Sequence, residues 1–274
     1  MITRPVLKYN GGKFLLAPWI ISHFPPHTSF VDLFGGGGNI LLRKQRSTFE
    51  YYNDIDKRVV NFFDQLNEHK LELIRRIKYT PYSRIVFERT KRANQSSGIE
   101  GALNFYINCW MSMVQNKSGG TFRARGNIGY EDGRYNPAGM WSDISPLFAA
   151  AERFRGVHIE CLDYRKIVAK LDHSQTLIYA DPPYLGLTRY CQAMYEKEIT
   201  TPLDHARIAL NLRNLKSMVI ISGYDSRLYK RLYEEYGWLK VSKETRDNKR
   251  NLRTECLWIN PVAQENFSQR ELFS

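Results

Sequence analysis

The chain has 274 residues, enough for one large core or for a domain carrying a substantial insertion. Its 40 Lys and Arg against 28 Asp and Glu leave a net charge of +12, and 17 Tyr, 14 Phe and 5 Trp make it rich in aromatics. This composition excludes a largely disordered chain, and the charge suits a polyanionic partner, although charge alone more often serves solubility. The cysteines Cys109, Cys161, Cys191 and Cys256 form no C-x-x-C pair, and no H-E-x-x-H is present, so a zinc ribbon, a disulfide framework and a metal site lack support. No apolar run approaches the ~20 residues of a membrane span, and the first residues lack the apolar core of a signal peptide. The expectation is a cytoplasmic protein with neither metal nor membrane partner.

In chain order, the first motif is "LKYNGGKF" (7–14), a tight Asn-Gly-Gly turn that presents Lys13 beside the flat face of Tyr9. A plain turn would explain it equally well. In "FVDLFGGGGNILL" (30–42) a buried strand feeds four glycines and then a helix-like run, the arrangement that brings a ligand close to bare backbone. G-x-G is present at Gly35 and Gly37, but Ile40 stands where a dinucleotide fingerprint has its last glycine, and no P-loop is found. "YYNDID" (51–56) ends the next strand in carboxylates. Asp54 is the candidate acceptor for ribose hydroxyls and Asp56 the alternate; capping a helix is the competing use.

From 57 to 155 the alternation of strand and helix stops. Helical patterns ("VVNFFDQLNEHKLELIRRI", "GALNFYINCWMSMVQN") precede a turn-rich basic stretch in which Gly119 and Gly120 suggest a hairpin or loop. This interval holds 16 Lys and Arg against 9 Asp and Glu, so +7 of the +12 lies here, as in an inserted module. Alternation resumes with strands at 157–163, 176–181, 218–224, 238–246 and 254–260, and helices at 204–215 and 226–237, which predicts a mostly parallel α/β sheet. The end, "AQENFSQRELFS", reads as a loosely held tail. Within "TLIYADPPY" a central strand delivers Asp181 to its carboxyl end, where open α/β sheets place their ligand crevice. Pro182 and Pro183 then force a stiff extended exit that holds Tyr184 in fixed relation to the carboxylate.

"KYNGGK", "FVDLFGGGGN", "YYNDID" and "DPPY", in this order, resemble the Dam-like, D12-class DNA adenine-N6 methyltransferases of the alpha group. The resemblance runs from Lys8 to Asn260. It implies a Rossmann-like class I S-adenosyl-L-methionine-dependent methyltransferase sheet, built from residues 1–56 and 156–274. A mostly helical DNA target-recognition insertion would occupy residues 57–155. Tyr9, where the family often has Trp, and Lys13 would border the S-adenosyl-L-methionine site. Gly35 and Gly37 would approach the methionine moiety, Asp54 would hold the ribose, and Asp163 and Tyr164 of "CLDY" would lie near the cofactor's adenine. Asp181, at the edge of the cofactor site, would be catalytic together with Pro182 and Tyr184, and no metal would be needed. Gly36 and Gly38 fill places the family leaves variable, where tighter backbone packing is expected.

The implied substrate is adenine in double-stranded DNA, flipped from the helix, with Lys117, Arg123, Arg125 and Arg134 as candidate DNA contacts. A cognate restriction endonuclease is a candidate partner. A nicotinamide-dependent oxidoreductase would share the glycine loop and the acidic strand end but has no use for DPPY. A non-catalytic nucleic-acid module would need neither Asp181 nor Tyr184.

Overall fold

Runs of four to eight residues that are apolar on both faces form strands only when helices cover both sides of the sheet. The computed structural model describes residues 2–92, 97–113, 120–123, 136–184, 201–246 and 252–272. Its elements, in chain order, are α1 (Ala17–Ile21), β1 (Ser29–Asp32), α2 (Asn39–Arg43), β2 (Phe49–Asn53), α3 (Lys57–Glu68), α4 (Lys70–Tyr79), α5 (Arg84–Arg92) and α6 (Gly98–Met111). There follow α7 (Pro137–Ser142), α8 (Ser145–Phe154), β3 (His158–Glu160), α9 (Tyr164–Leu171), β4 (Thr176–Ala180), α10 (Pro202–Arg213), β5 (Met218–Tyr224), α11 (Arg227–Leu232), β6 (Leu239–Arg246), β7 (Leu252–Ile259) and α12 (Pro261–Leu272).

The strands form one sheet in the order β3-β2-β1-β4-β5-β7-β6. β1 to β5 are parallel, and β7 lies antiparallel between β5 and β6. This is the α/β, Rossmann-like sheet that the sequence predicts. Because successive side chains point to opposite faces, Phe30, Leu177, Tyr179, Ile220 and Leu257 enter one apolar cluster, with α3, α6 and α8. Val31, Ile178, Val219, Ile221 and Trp258 enter the other, with α9, α10 and α11.

The helices between β2 and β3 share the first of these clusters. The rings of Phe63 on α3 and Phe154 on α8 stack at 4.2 Å, and the Tyr52 ring of β2 meets both edge-on at 5.1 and 5.5 Å. Beyond α6, Ser112 bridges to antiparallel Phe122, with Met113 N–H on the Thr121 carbonyl at 2.8 Å and Arg123 N–H on the Met111 carbonyl at 2.7 Å. Residues 111–113 and 121–123 therefore pair as a hairpin stem.

The expected loose tail is a helix, α12. Buried Asn260 starts it: its Oδ1 accepts from Ala263 N–H at 2.9 Å, and Pro261 takes a first-turn place where its missing N–H costs nothing.

Candidate functional site

Strand order reverses between β1 and β4, and at such a point the two flanking crossovers leave on opposite faces and open a crevice at the carboxyl ends. Asp32 ends β1 and Asp181 directly follows β4, in adjacent parallel strands where Asp32 pairs with Tyr179. Asp32 is 2% exposed, and its Oδ2 has no hydrogen-bond partner among the described residues. Burial, with Asp181 and Asp54 nearby, pushes its carboxyl up to about 7.

The glycine loop covers this crevice. Gly36 (φ 47°) and Gly38 (φ 66°) are left-handed, so the positions the resemblance leaves variable are the ones that need glycine for the turn itself. Gly35 and Gly37 need it for space: a Cβ would fall 2.3 Å from the Tyr52 ring at Gly35 and 3.2 Å from Tyr9 Cβ at Gly37. The loop is tied down by Gly36 N–H to Asp54 Oδ2 at 2.8 Å and by the Tyr52 hydroxyl donating to the Gly36 carbonyl at 2.6 Å. Tyr9 lies over Gly36 and Gly37 and donates to Asp56 Oδ2 at 3.3 Å.

The two aspartates of "NDID" divide their roles. Asp54 is buried and accepts from Gly36 N–H and from Asp56 N–H at 2.8 Å; burial raises its carboxyl to about 6 against the pull of those donors. Asp56 caps α3 through Arg58 N–H at 2.9 Å and pairs with the Arg58 guanidinium.

On the other side of the crevice Asp181 is held at both oxygens. The Tyr179 hydroxyl donates to Ser222 Oγ at 3.1 Å, and Ser222 donates to Asp181 Oδ1 at 2.6 Å. Lys13 Nζ lies 3.0 Å from Asp181 Oδ2 and from the Gly11 carbonyl, and 4.5 Å from the centre of the Tyr184 ring. Tyr184 donates to Glu255 Oε2 at 2.9 Å and meets the Tyr224 ring edge-on at 4.5 Å.

Tyr9, Lys13, the glycines, Asp54, Asp181 and Tyr184 thus converge on one crevice, Pro182 being buried next to Asp181. Tyr164 packs on Phe34 at the foot of the loop at 5.6 Å, while Asp163 caps α9 and holds the Arg165 guanidinium at 2.8 Å. Arg123 lies elsewhere, with its guanidinium on the Ser112 carbonyl at 2.7 Å across the hairpin stem. Lys117, Arg125 and Arg134 lie outside the described residues. Sequence reading missed Asp32, Ser222, Tyr224 and Glu255. The available signal was a lone polar residue at the mouth of an otherwise apolar strand, in "FVD", "IISGY" and "TECLWI".

Among the described residues no three His, Cys, Asp or Glu side chains cluster as metal ligands, and no helix is long and apolar enough to cross a membrane. Residues 9–246 match the family described as D12 class N6 adenine-specific DNA methyltransferase. The chain belongs to that family: it is an adenine-specific DNA methyltransferase that methylates the N6 amine, and membership implies S-adenosyl-L-methionine as the methyl donor. It is similar to the DNA adenine methylase of Serratia marcescens, 24% identical over 264 residues that cover 91% of this chain and 93% of the relative. The DNA adenine methylases of Salmonella typhi (25% identical over 244 residues) and Escherichia coli K12 (24% over 242) are covered to 84%, as is this chain in each comparison.

Proposed function

We propose that the chain methylates adenine within a specific sequence of double-stranded DNA, after extruding the base into the crevice beside Asp181. The Lys13 ammonium carries this reading. It makes a charge-assisted hydrogen bond to Asp181 Oδ2 and covers the Tyr184 ring, the two contacts an adenine stacked on Tyr184 would make through its amine and its π-face. A nitrogen donor fits there, and Lys13 moves aside when the base enters.

The N6 lone pair is delocalised into the ring and is a weak nucleophile. Asp181 accepts one N–H and the Pro182 carbonyl the other, which draws the nitrogen toward tetrahedral geometry and stabilises the charge that develops on it. Ser222 and Tyr179 fix the carboxylate so that it need not reorganise as the reaction proceeds. Tyr184 stacks on the flipped base, worth about 1–3 kcal/mol against an unstacking cost of a few kcal/mol.

The residues present suit the donor. Asp32 Oδ2, buried and unpartnered among the described residues, would hold the ammonium of its amino-acid end, and the glycine loop leaves no side chain in the way. Asp54 and the Tyr9 face would border its ribose and sulfonium parts, and Tyr164 its adenine. When bound, S-adenosyl-L-methionine supplies an already activated sulfonium methyl. Residues 57–155 would provide target recognition, with Lys117, Arg125 and Arg134 on phosphates or bases and no metal involved.

Asp181→Ala should keep folding and S-adenosyl-L-methionine affinity near wild type while lowering methyl transfer at least about 100-fold. Tritium transfer to unmethylated plasmid, beside calorimetric cofactor binding, measures both; near-normal transfer would overturn the assignment. Base-resolution mapping of N6-methyladenine in a methylation-free host expressing the chain reads out the recognition sequence.

A further inference from the structure

We infer that Glu255 is a positioning residue for methyl transfer, one that sets the plane of the Tyr184 ring through its hydroxyl. This deepens the reading in which Tyr184 stacks on the target base, and rests on it.

β7 runs antiparallel beside β5, and the register that pairs Tyr224 with Glu255 brings the carboxylate to the mouth of the crevice. The positions after it, Cys256, Leu257, Trp258 and Ile259, are buried and mostly apolar, whereas Glu255 is only 9% exposed. Burying a carboxylate is unfavourable unless a donor meets it. Burial raises the Glu255 carboxyl, and the Lys13 cation and the Tyr184 hydroxyl pull in the other direction. An apolar residue would pack there at less cost, so the carboxylate marks a task other than packing.

The task is visible in its partner. Stacking requires only an aromatic face, which phenylalanine would supply; the hydroxyl adds a handle at the far end of the ring. Glu255 grips that handle at 2.9 Å, and Tyr224 blocks one edge at 4.5 Å with an interplanar angle of 73°. The face over which Lys13 sits is left for the base. The ring is therefore held by its hydroxyl and its edge before any base arrives.

Single-turnover methyl transfer to unmethylated plasmid, with KM for DNA and calorimetric cofactor affinity alongside, tests this in the full chain. Glu255→Ala and Tyr184→Phe should each slow the chemical step about 10- to 100-fold with cofactor affinity unchanged. Glu255→Gln, whose amide oxygen still accepts, should recover most of that rate. Because both substitutions remove one hydrogen bond, the double variant should be no slower than the slower single variant. Wild-type rates in Tyr184→Phe, losses that multiply in the double variant, or no rescue by Glu255→Gln would each overturn the inference. Tyr184→Phe deletes no charge and carries the test even if Glu255→Ala fails to fold. Tyr184→Ala separates this inference from the reading beneath it. A slow Tyr184→Ala beside a fast Tyr184→Phe leaves base stacking standing and removes only Glu255; a fast Tyr184→Ala removes both.

Discussion

Asp32 is a carboxylate whose burial weakens the protein at neutral pH. Its ordinary value is 3.8 and burial carries it to about 7, so between those values the folded chain keeps a proton that the unfolded chain has released. Stability attributable to this group therefore falls as pH rises from about 4 to 7, and the penalty is complete above 7. Asp32→Asn should raise the melting temperature of the cofactor-free protein at pH 8 by at least about 2–4 °C, with a smaller gain at pH 5. If Asp32 holds the cofactor's ammonium as proposed, the same variant should bind S-adenosyl-L-methionine more weakly at pH 8, because a neutral amide replaces the anion. Thermal melts at the two pH values and calorimetric titration check both signs. From sequence, Asp32 is one polar residue at the end of a strand; only the register that brings Asp181 alongside it shows its electrostatic setting.

Elements were legible in proportion to how far composition determined them. Each of the seven strands lies within or against the run that predicted it, most plainly β4 and β5, which are covered on both faces and apolar nearly throughout. α12 was misread because "AQENFSQREL" has no apolar stripe, and its start signal, Asn260 followed by Pro261, is short. That Asn joins three elements: its Oδ1 accepts from Val219 N–H and Ala263 N–H at 2.9 Å, and its Nδ2 donates to the Ser217 carbonyl at 2.9 Å. Asn260→Ala leaves these buried groups unpaired and should cost about 2–4 kcal/mol, read as a lower urea midpoint at unchanged slope.

The hairpin stem was legible as a hairpin or a loop, without its partners. Arg123 is expected on DNA, and its guanidinium also reaches the Ser112 carbonyl across the stem. Arg123→Lys keeps the charge but loses the fork geometry. It should weaken DNA binding about 5- to 10-fold with the salt slope unchanged, whereas Lys117→Ala should lower the slope by about 1; fluorescence titrations over a salt series separate the two.

Across the whole molecule, the helices between β2 and β3 are bound to the sheet by charge as well as by rings. Glu50 on β2 is buried; it accepts from Lys44 Nζ at 2.8 Å and from Arg153 of α8 at 2.8 Å, while Arg46 donates to the last carbonyls of α8. Burial opposes the Glu50 carboxylate, but the hydrogen bonds from Arg153 and Lys44 outweigh it, so its pKa lies below the ordinary 4.5. The stabilisation from this group is present above 4.5 and is lost as pH falls through the folded value. Glu50→Ala strands buried Lys44 and half-buried Arg153 and should cost about 3–5 kcal/mol at pH 7, a difference from wild type that narrows under acid in urea titrations.

The order of cofactor-type motifs, basic interval and DPPY is a property of the chain itself, and with it came the family, the α/β class and most of the residues that meet at the crevice. Local chemistry suffices for these, since apolar runs, glycine turns and paired prolines act within a few residues. How the Asp181 carboxylate is oriented and what the Tyr184 hydroxyl meets depend on Ser222 and Glu255. Ser222 and Glu255 stand 41 and 71 residues from the groups they hold, and sheet register alone brings them there. Tertiary structure decided these because a buried carboxylate is defined by the donors that surround it, and those donors come from other strands.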